Sequence, residues 1–248
     1  MCLFAMAIKF LNITQGELPA NLFKYMKLEH AIDSIKNDTL WFSNPEEWND
    51  PYESYFANNA YDKAQVPFDF PLKDKLYACC FSTLPNSEAQ WNAYTSGIGI
   101  KCQIPTAEFL EELEKLSSDY DVYVGRVSYQ NTATLRLRDV PAILDAAGFE
   151  NTTCDIKKAL MLMLCKRVAF QYESEIRVFL IPKKEENYAK KGIKVNVGLK
   201  NVTQTYTISP IDRNVQEVVK DGLKSQLGIS KVYCATLYDN AINQVLNW

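Results

Sequence analysis

The chain has 248 residues, 47% hydrophobic and 23% charged, with a net charge of −3. That length and balance suit one soluble globular domain spanning residues 1–248, with the family-like region described below covering about 22–240. The charge gives no electrostatic footprint for general nucleic-acid binding.

Cysteine usage and the N-terminus point to a reducing cytoplasm. Seven cysteines are present, none spaced as C-x-x-C, and several lie in apolar runs such as YACCFS, where free thiols act as small hydrophobes. The start, MCLFAMAIKFLN, lacks the basic region and cleavage site of a secretory signal. No apolar run reaches the roughly 18 residues that a membrane span needs. The lone histidine, His30, sits in a helical pattern on a solvated face. Zinc hydrolysis and triad catalysis are therefore poorly supplied with imidazoles.

In chain order, NLFKYMK predicts a strand, followed by a helix with Leu28, Ala31, Ile32 and Ile35 on one face. LWFSNP is a short strand ended by Asn-Pro, EEWNDPYESYF a turn with a short helical segment, and residues 58–71 a loop. KLYACCFST is a strand, NSEAQWNAYTS a helix capped by Asn86 or Ser87, GIGIKCQI a strand and TAEFLEELEKLSS a helix. VYVGRVSY is a strand, and RDVPAILDAAGF a helix capped by Asp139 and closed near Gly148. CDIKKALMLMLCKRVAF reads as the longest helix. The strands EIRVFLI, IKVNVGL and TQTYTIS follow, then the helix DRNVQEVVKDGLKSQLGI and a last strand, KVYCATL. The sum is an α+β chain of about eight strands, with mostly antiparallel sheets and flanking helices.

FQYESEIRVF (170–179) carries the sharpest signal. Read as a strand, it puts Gln171, Glu173, Glu175, Arg177 and Phe179 on one face. Glutamate and arginine are seldom buried unless paired. The row is thus either a solvent-facing charge ladder or a carboxylate fixed on a rigid strand at the floor of a cleft. Other candidates are Lys24 and Tyr25 on the first strand, Ser43 ending the second, and Asn49, Asp50 and Glu53 around a proline turn. Ser82 sits at a strand end, and Trp91 and Tyr94 lie three apart on a helix. Asn-Asp-Pro also has a plain reading as turn chemistry, and the aromatics a plain reading as packing.

The order of FKY (23–25), LWFSNP, WNDPYE (48–53), CFS (80–82), QWNAY (90–94) and YESEIR (172–177) resembles the bacterial family called domain of unknown function 2971. Two positions depart from its pattern: Met26 where that family often has arginine, and Phe170 where it often has tryptophan. More remotely, Lys24, the helix HAIDSIKNDTL, Ser82-Thr83 and Glu173-x-Glu175 fall in the order seen in ADP-ribosyltransferases, although Lys24 stands where they carry arginine or histidine. That resemblance implies their split sheet and a small-molecule nucleotide, NAD, as substrate. Glu175 would stabilise positive charge on the ribose and Glu173 would orient or deprotonate an acceptor. Lys24 would meet the diphosphate, Tyr25, Tyr94 or Trp91 would stack on a ring, and Arg177 would bind phosphate or hold Glu175. It implies a bacterial transferase or NAD glycohydrolase acting as a toxin or defence effector, with the acceptor open.

Two other readings stand beside it. One is a non-catalytic nucleotide- or protein-binding module, which predicts a concave site with no carboxylate free of salt bridges. The other is a nuclease-type effector with Asp50, Glu53, Glu173 and Glu175 around Mg²⁺, which predicts that those carboxylates converge.

Overall fold

The structure, a computed structural model, describes residues 8–48, 50–53, 70–136, 139–149, 152–185, 189 and 191–237. The strands among these are β1 (Ile8–Leu11), β2 (Asn21–Lys27), β3 (Thr39–Ser43), β4 (Tyr77–Ser82), β5 (Gly99–Pro105), β6 (Tyr120–Arg126), β7 (Ser128–Gln130), β8 (Cys165–Arg167), β9 (Glu175–Pro182), β10 (Gly192–Asn196), β11 (Thr205–Ile208) and β12 (Val232–Cys234). The helices are α1 (Leu28–Asn37), α2 (Glu88–Thr95), α3 (Thr106–Lys115), α4 (Thr132–Leu135), α5 (Val140–Ala146), α6 (Asp155–Leu162), α7 (Leu199–Val202) and α8 (Arg213–Leu227).

Ten strands form one sheet in the order β1-β6-β9-β4-β2-β5-β11-β12, with β3 and β10 as a branch. Its pairings are antiparallel except β1 with β6 and β11 with β12. The protein is thus a mixed α/β structure with a large, mostly antiparallel sheet, and β7 and β8 make a small parallel pair beside it. The branch arises on one edge of β4. Phe23 of β2 pairs with Ser82 at one end, and Ser43 of β3 pairs with Ala78 at the other. Between them the carbonyl of Cys80 accepts from Lys24 Nζ at 2.9 Å, so a side chain serves where the ladder divides.

Alternation along β9 explains how the sheet is covered. Ile176, Val178 and Leu180 enter one apolar cluster with Ala31 and Ile35 of α1 and Phe109 and Leu113 of α3. Phe179 faces the other side, into a second cluster with Ile143 of α5 and Leu160 and Leu162 of α6. Gly125 lies opposite Arg177 in β6, where a Cβ would meet a Leu164 methyl at 2.5 Å; the missing side chain lets Leu164 close over the strand.

Several expectations hold at the residue level. Ser87 caps α2, accepting from Gln90 N, and Asp139 caps α5, accepting from Ala142 N. Gly148 follows α5 at φ +74. Others are corrected. The predicted long helix over 154–170 stops at Leu162; Cys165–Arg167 is a strand, and Val168–Glu173 a 3-10 helix. Ala159 to Cys165 are all buried, and a run that is apolar on every side carries no period to tell helix from strand. The longest helix is α8, with 15 residues. The strand expected over 171–179 begins only at Glu175, because Ser174 takes a left-handed conformation at φ 43. VYVGRVSY breaks at Val127 into β6 and β7, and β1 was not anticipated. No helix among the described residues is long and apolar enough to cross a membrane.

Candidate functional site

Arg177 is 1% exposed on the first turn of pleat in β9, and everything around it compensates that charge. Its Nε donates to Glu175 Oε1 at 3.0 Å and its Nη2 to Glu175 Oε2 at 2.9 Å, a two-pronged pairing. Nη2 also meets Glu53 Oε1. Nη1 donates to the carbonyl of Met163, the C-cap of α6, so the cation sits at a helix C-terminus. The indole of Trp48 covers the guanidinium at 4.5 Å.

Lys166 of β8 ties in the third carboxylate. Its Nζ lies 2.5 Å from Glu173 Oε2, 3.4 Å from Glu175 Oε2 and 3.7 Å from Glu53 Oε2. Three glutamates therefore converge on one ammonium, all with side chains no more than 6% exposed. The WNDPYE turn is bound through its alternate side chains. Trp48 Nε1 donates to Ser43 Oγ at 2.8 Å, Asp50 pairs with Arg167 at 3.1 Å, and the Tyr52 ring lies 4.8 Å from the Arg167 guanidinium.

The 3-10 helix, rather than the strand, presents Glu173. Ser82 Oγ and Gln90 Nε2 both donate to the Glu173 carbonyl, at 2.8 and 3.1 Å, and Tyr94 OH donates to its Oε1 at 2.7 Å. Thr83 Oγ1 and Ser174 Oγ share a 2.6 Å hydrogen bond that helps hold the left-handed residue. The result is two adjacent carboxyls with opposite biases. Burial disfavours ionised Glu175, but the charges and hydrogen bonds of Arg177 and Lys166 outweigh it and hold the carboxyl at about 2. Burial and the neighbouring Glu175 charge push Glu173 upward, against Lys166 and Tyr94. The Tyr94 phenol is likewise raised, by burial and then by the two glutamates.

A cleft opens over this knot. One lobe, of about 490 Å³, is walled by Trp48, Asp50, Lys166, Phe170, Glu173 and Glu175. A narrow inner recess of about 40 Å³ brings Lys24, Tyr25, Ser82 and Tyr94 together with the same two glutamates. An outer lobe of about 690 Å³ lies on the α1–β3 side. Lys24 and Tyr94 line all three.

The structure therefore gathers Lys24, Tyr25, Ser43, Ser82, Tyr94, Asp50, Glu53, Glu173, Glu175 and Arg177 around one cleft. Asn49 lies outside the described residues. Trp91 does not join them as a stacking surface: it is 3% exposed and packs edge-on against Tyr25 at 4.9 Å, supporting that ring from behind. The solvent-facing ladder is overturned by the burial of Glu173, Glu175 and Arg177. Arg177 holds Glu175 and Glu53 rather than waiting for phosphate. The convergence that the nuclease reading requires is met by three of its four acids, but Lys166 Nζ fills their centre and Asp50 turns away to Arg167. Among the described residues no group of three or more His, Cys, Asp or Glu is arranged to hold a metal ion.

Lys166, Arg167, Trp48 and Phe170 were missed. A signal existed: Lys166-Arg167 interrupts an apolar run, and three acids destined for burial beside one arginine require a second cation. Comparisons with protein-family models, curated proteins and solved structures give no match.

Proposed function

We propose that the protein binds a nucleotide of the NAD type in this cleft and cleaves its nicotinamide–ribose bond, as an ADP-ribosyltransferase-like enzyme or NAD glycohydrolase. The observation that carries the reading is the pair Glu173–Glu175, side by side on one cleft wall with protonation biases pushed apart. Departure of nicotinamide leaves an oxocarbenium-like ribose. Glu175, held ionised, faces that developing positive charge. Glu173, with its raised affinity for a proton and its contact to Tyr94, receives the proton of the attacking water or acceptor. Lys24 supplies a compact positive charge for the diphosphate. The divided sheet around β4, with Lys24 at its fork, supports an affinity to the split sheet of that enzyme class, and the motif order supports kinship with the bacterial domain of unknown function 2971. A bacterial toxin or defence effector working in the cytoplasm fits this chemistry.

One observation favours a second reading, a non-catalytic binding module on the same fold. Each carboxylate oxygen of Glu173 and Glu175 already accepts a hydrogen bond from within the protein. Incubation of the purified protein with NAD, followed by mass spectrometry for free nicotinamide, separates the two. Release by the wild type, lost in Glu173→Gln and Glu175→Gln while Tyr94→Phe keeps a reduced rate, supports the enzyme. NAD binding without release at any pH between 5 and 9 leaves the module.

A further inference from the structure

The outer lobe has chemistry of its own that the glycosidic reading does not use. In β3, Leu40 and Phe42 are fully buried, and alternation sends Trp41 the other way, where it remains 47% exposed. Gly192, opposite Ser43 on the adjacent strand β10 and at φ +148, leaves room for the indole: a Cβ there would lie 2.6 Å from Trp41 Cζ2 and would also clash with the Phe42 carbonyl. A side chain is thus absent where the ring leans, and the rest of the indole borders a cavity of about 690 Å³, within the size range of small-ligand sites. Tyr25, Met26, Leu40 and Ala93 add apolar wall.

Three lysines give the rim positive charge. Lys24, Lys27, His30 and Lys194 line it, against the single carboxylate of Asp33. Asp33 is already committed to Lys194 at 2.7 Å. The Lys27 side chain makes no hydrogen bond or ion pair among the described residues, and Lys24 Nζ donates to the neutral Cys80 carbonyl. A large indole with an open face beside an unneutralised ammonium suits a flat ring that carries negative charge.

We infer that this outer lobe is a binding site for a nucleoside monophosphate group, its base stacked on Trp41 and its phosphate met by Lys27 and Lys24. The site goes beyond the cleavage reaction and does not depend on it: an aromatic anion seated here binds whether or not the carboxylate wall is catalytic. Lys24 and Tyr94 border both lobes, so a ligand with a second ribosyl unit runs from one into the other.

The test is equilibrium titration of the full chain with adenosine monophosphate, adenosine and inorganic phosphate, by calorimetry and tryptophan fluorescence. Adenosine monophosphate should bind, with adenosine and inorganic phosphate each about tenfold weaker or more. Trp41→Ala should weaken binding by about tenfold, the scale of one lost stacking contact, and Lys27→Gln by several-fold with a shallower salt dependence. Circular dichroism of both variants should match the wild type, since both residues are on the surface. Absence of saturable binding at millimolar nucleotide overturns the proposal, as does affinity unchanged by Trp41→Ala or equal for adenosine and its monophosphate. Binding that depends on Trp41 without nicotinamide release from NAD retains this site and removes the glycosidic reading. Release with no role for Trp41 does the reverse.

Discussion

The two lobes of the cleft handle charge in opposite ways. At the inner end, Arg177, Lys166 and three glutamates are buried and each cation has several partners. At the outer end, Lys27 and His30 line an open cavity around a half-exposed indole. A buried ion in low dielectric must be paired, so the inner groups are held in fixed positions by mutual necessity. Lys27 on that rim is half-exposed, carries less desolvation cost than the inner ions and is at liberty to meet a ligand. Fixed charge suits catalysis, where groups must not reorganise; open charge suits recognition.

The sharpest way to break the contrast is Arg177→Met. It strands Glu53 and Glu175 without their guanidinium and removes the cation at the end of α6, and it should destabilise the protein by about 3–5 kcal/mol, read from urea denaturation. Charge burial also sets the acid response. Glu175 has its carboxyl lowered from 4.5 to about 2, so its contribution is present above the higher value and is lost as pH falls through the lower one. Acid unfolding should therefore steepen over that window, by about 3 kcal/mol in all, and Glu175→Gln should flatten it. Glu173, shifted the opposite way, works against this loss, because it binds its proton more readily in the folded state.

What the sequence disclosed depended on whether a local rule ruled. The period-2 strands, the caps Ser87 and Asp139 and the turn at Gly148 were legible because each depends on neighbours a few residues away. The convergence of WNDPYE with YESEIR was expected from the motif order and from the nuclease reading, not from any local rule. Lys166 was hidden because its role comes from tertiary contacts with Glu53, Glu173 and Glu175, and the apolar run before it reads equally as helix or strand. Glu173 reached the expected place by an unexpected route, since a left-handed Ser174 closes the 3-10 helix that carries it, one residue before the strand begins. Trp41 gave no signal: a tryptophan in a strand reads as core until its neighbours are known.

Smaller effects refine the comparison. Lys101 is 6% exposed, and among the described residues its ammonium meets the Pro85 carbonyl at 2.5 Å, Asn86 Oδ1 at 3.2 Å and the Phe23 ring. With no carboxylate to offset burial, its ammonium falls from 10.5 to about 8. Between those values the unfolded chain holds a proton that the folded one has shed, so stability should rise with pH there. Lys101→Met should remove that slope and stabilise the protein at pH 7 by about 1–2 kcal/mol, measured by thermal and urea melts. Tyr94→Phe should cost about 1 kcal/mol, the value of one hydrogen bond, and should let Glu173 shift further upward, because the Tyr94 hydrogen bond opposes that shift. Trp41→Ala, at a half-exposed indole, should cost about 1 kcal/mol, and this small value beside the Arg177→Met loss is the contrast between the lobes in its simplest form.

In the proposed function, Glu173 and Glu175 face a bound ribose. A crystal structure of the wild-type protein with ADP-ribose tests it most directly. The account predicts the reducing ribose against Glu173, Glu175 and Tyr94, with the diphosphate beside Lys24. Occupied ligand elsewhere on the molecule, with the two carboxylates still sealed behind Lys166 and Tyr94, would contradict it.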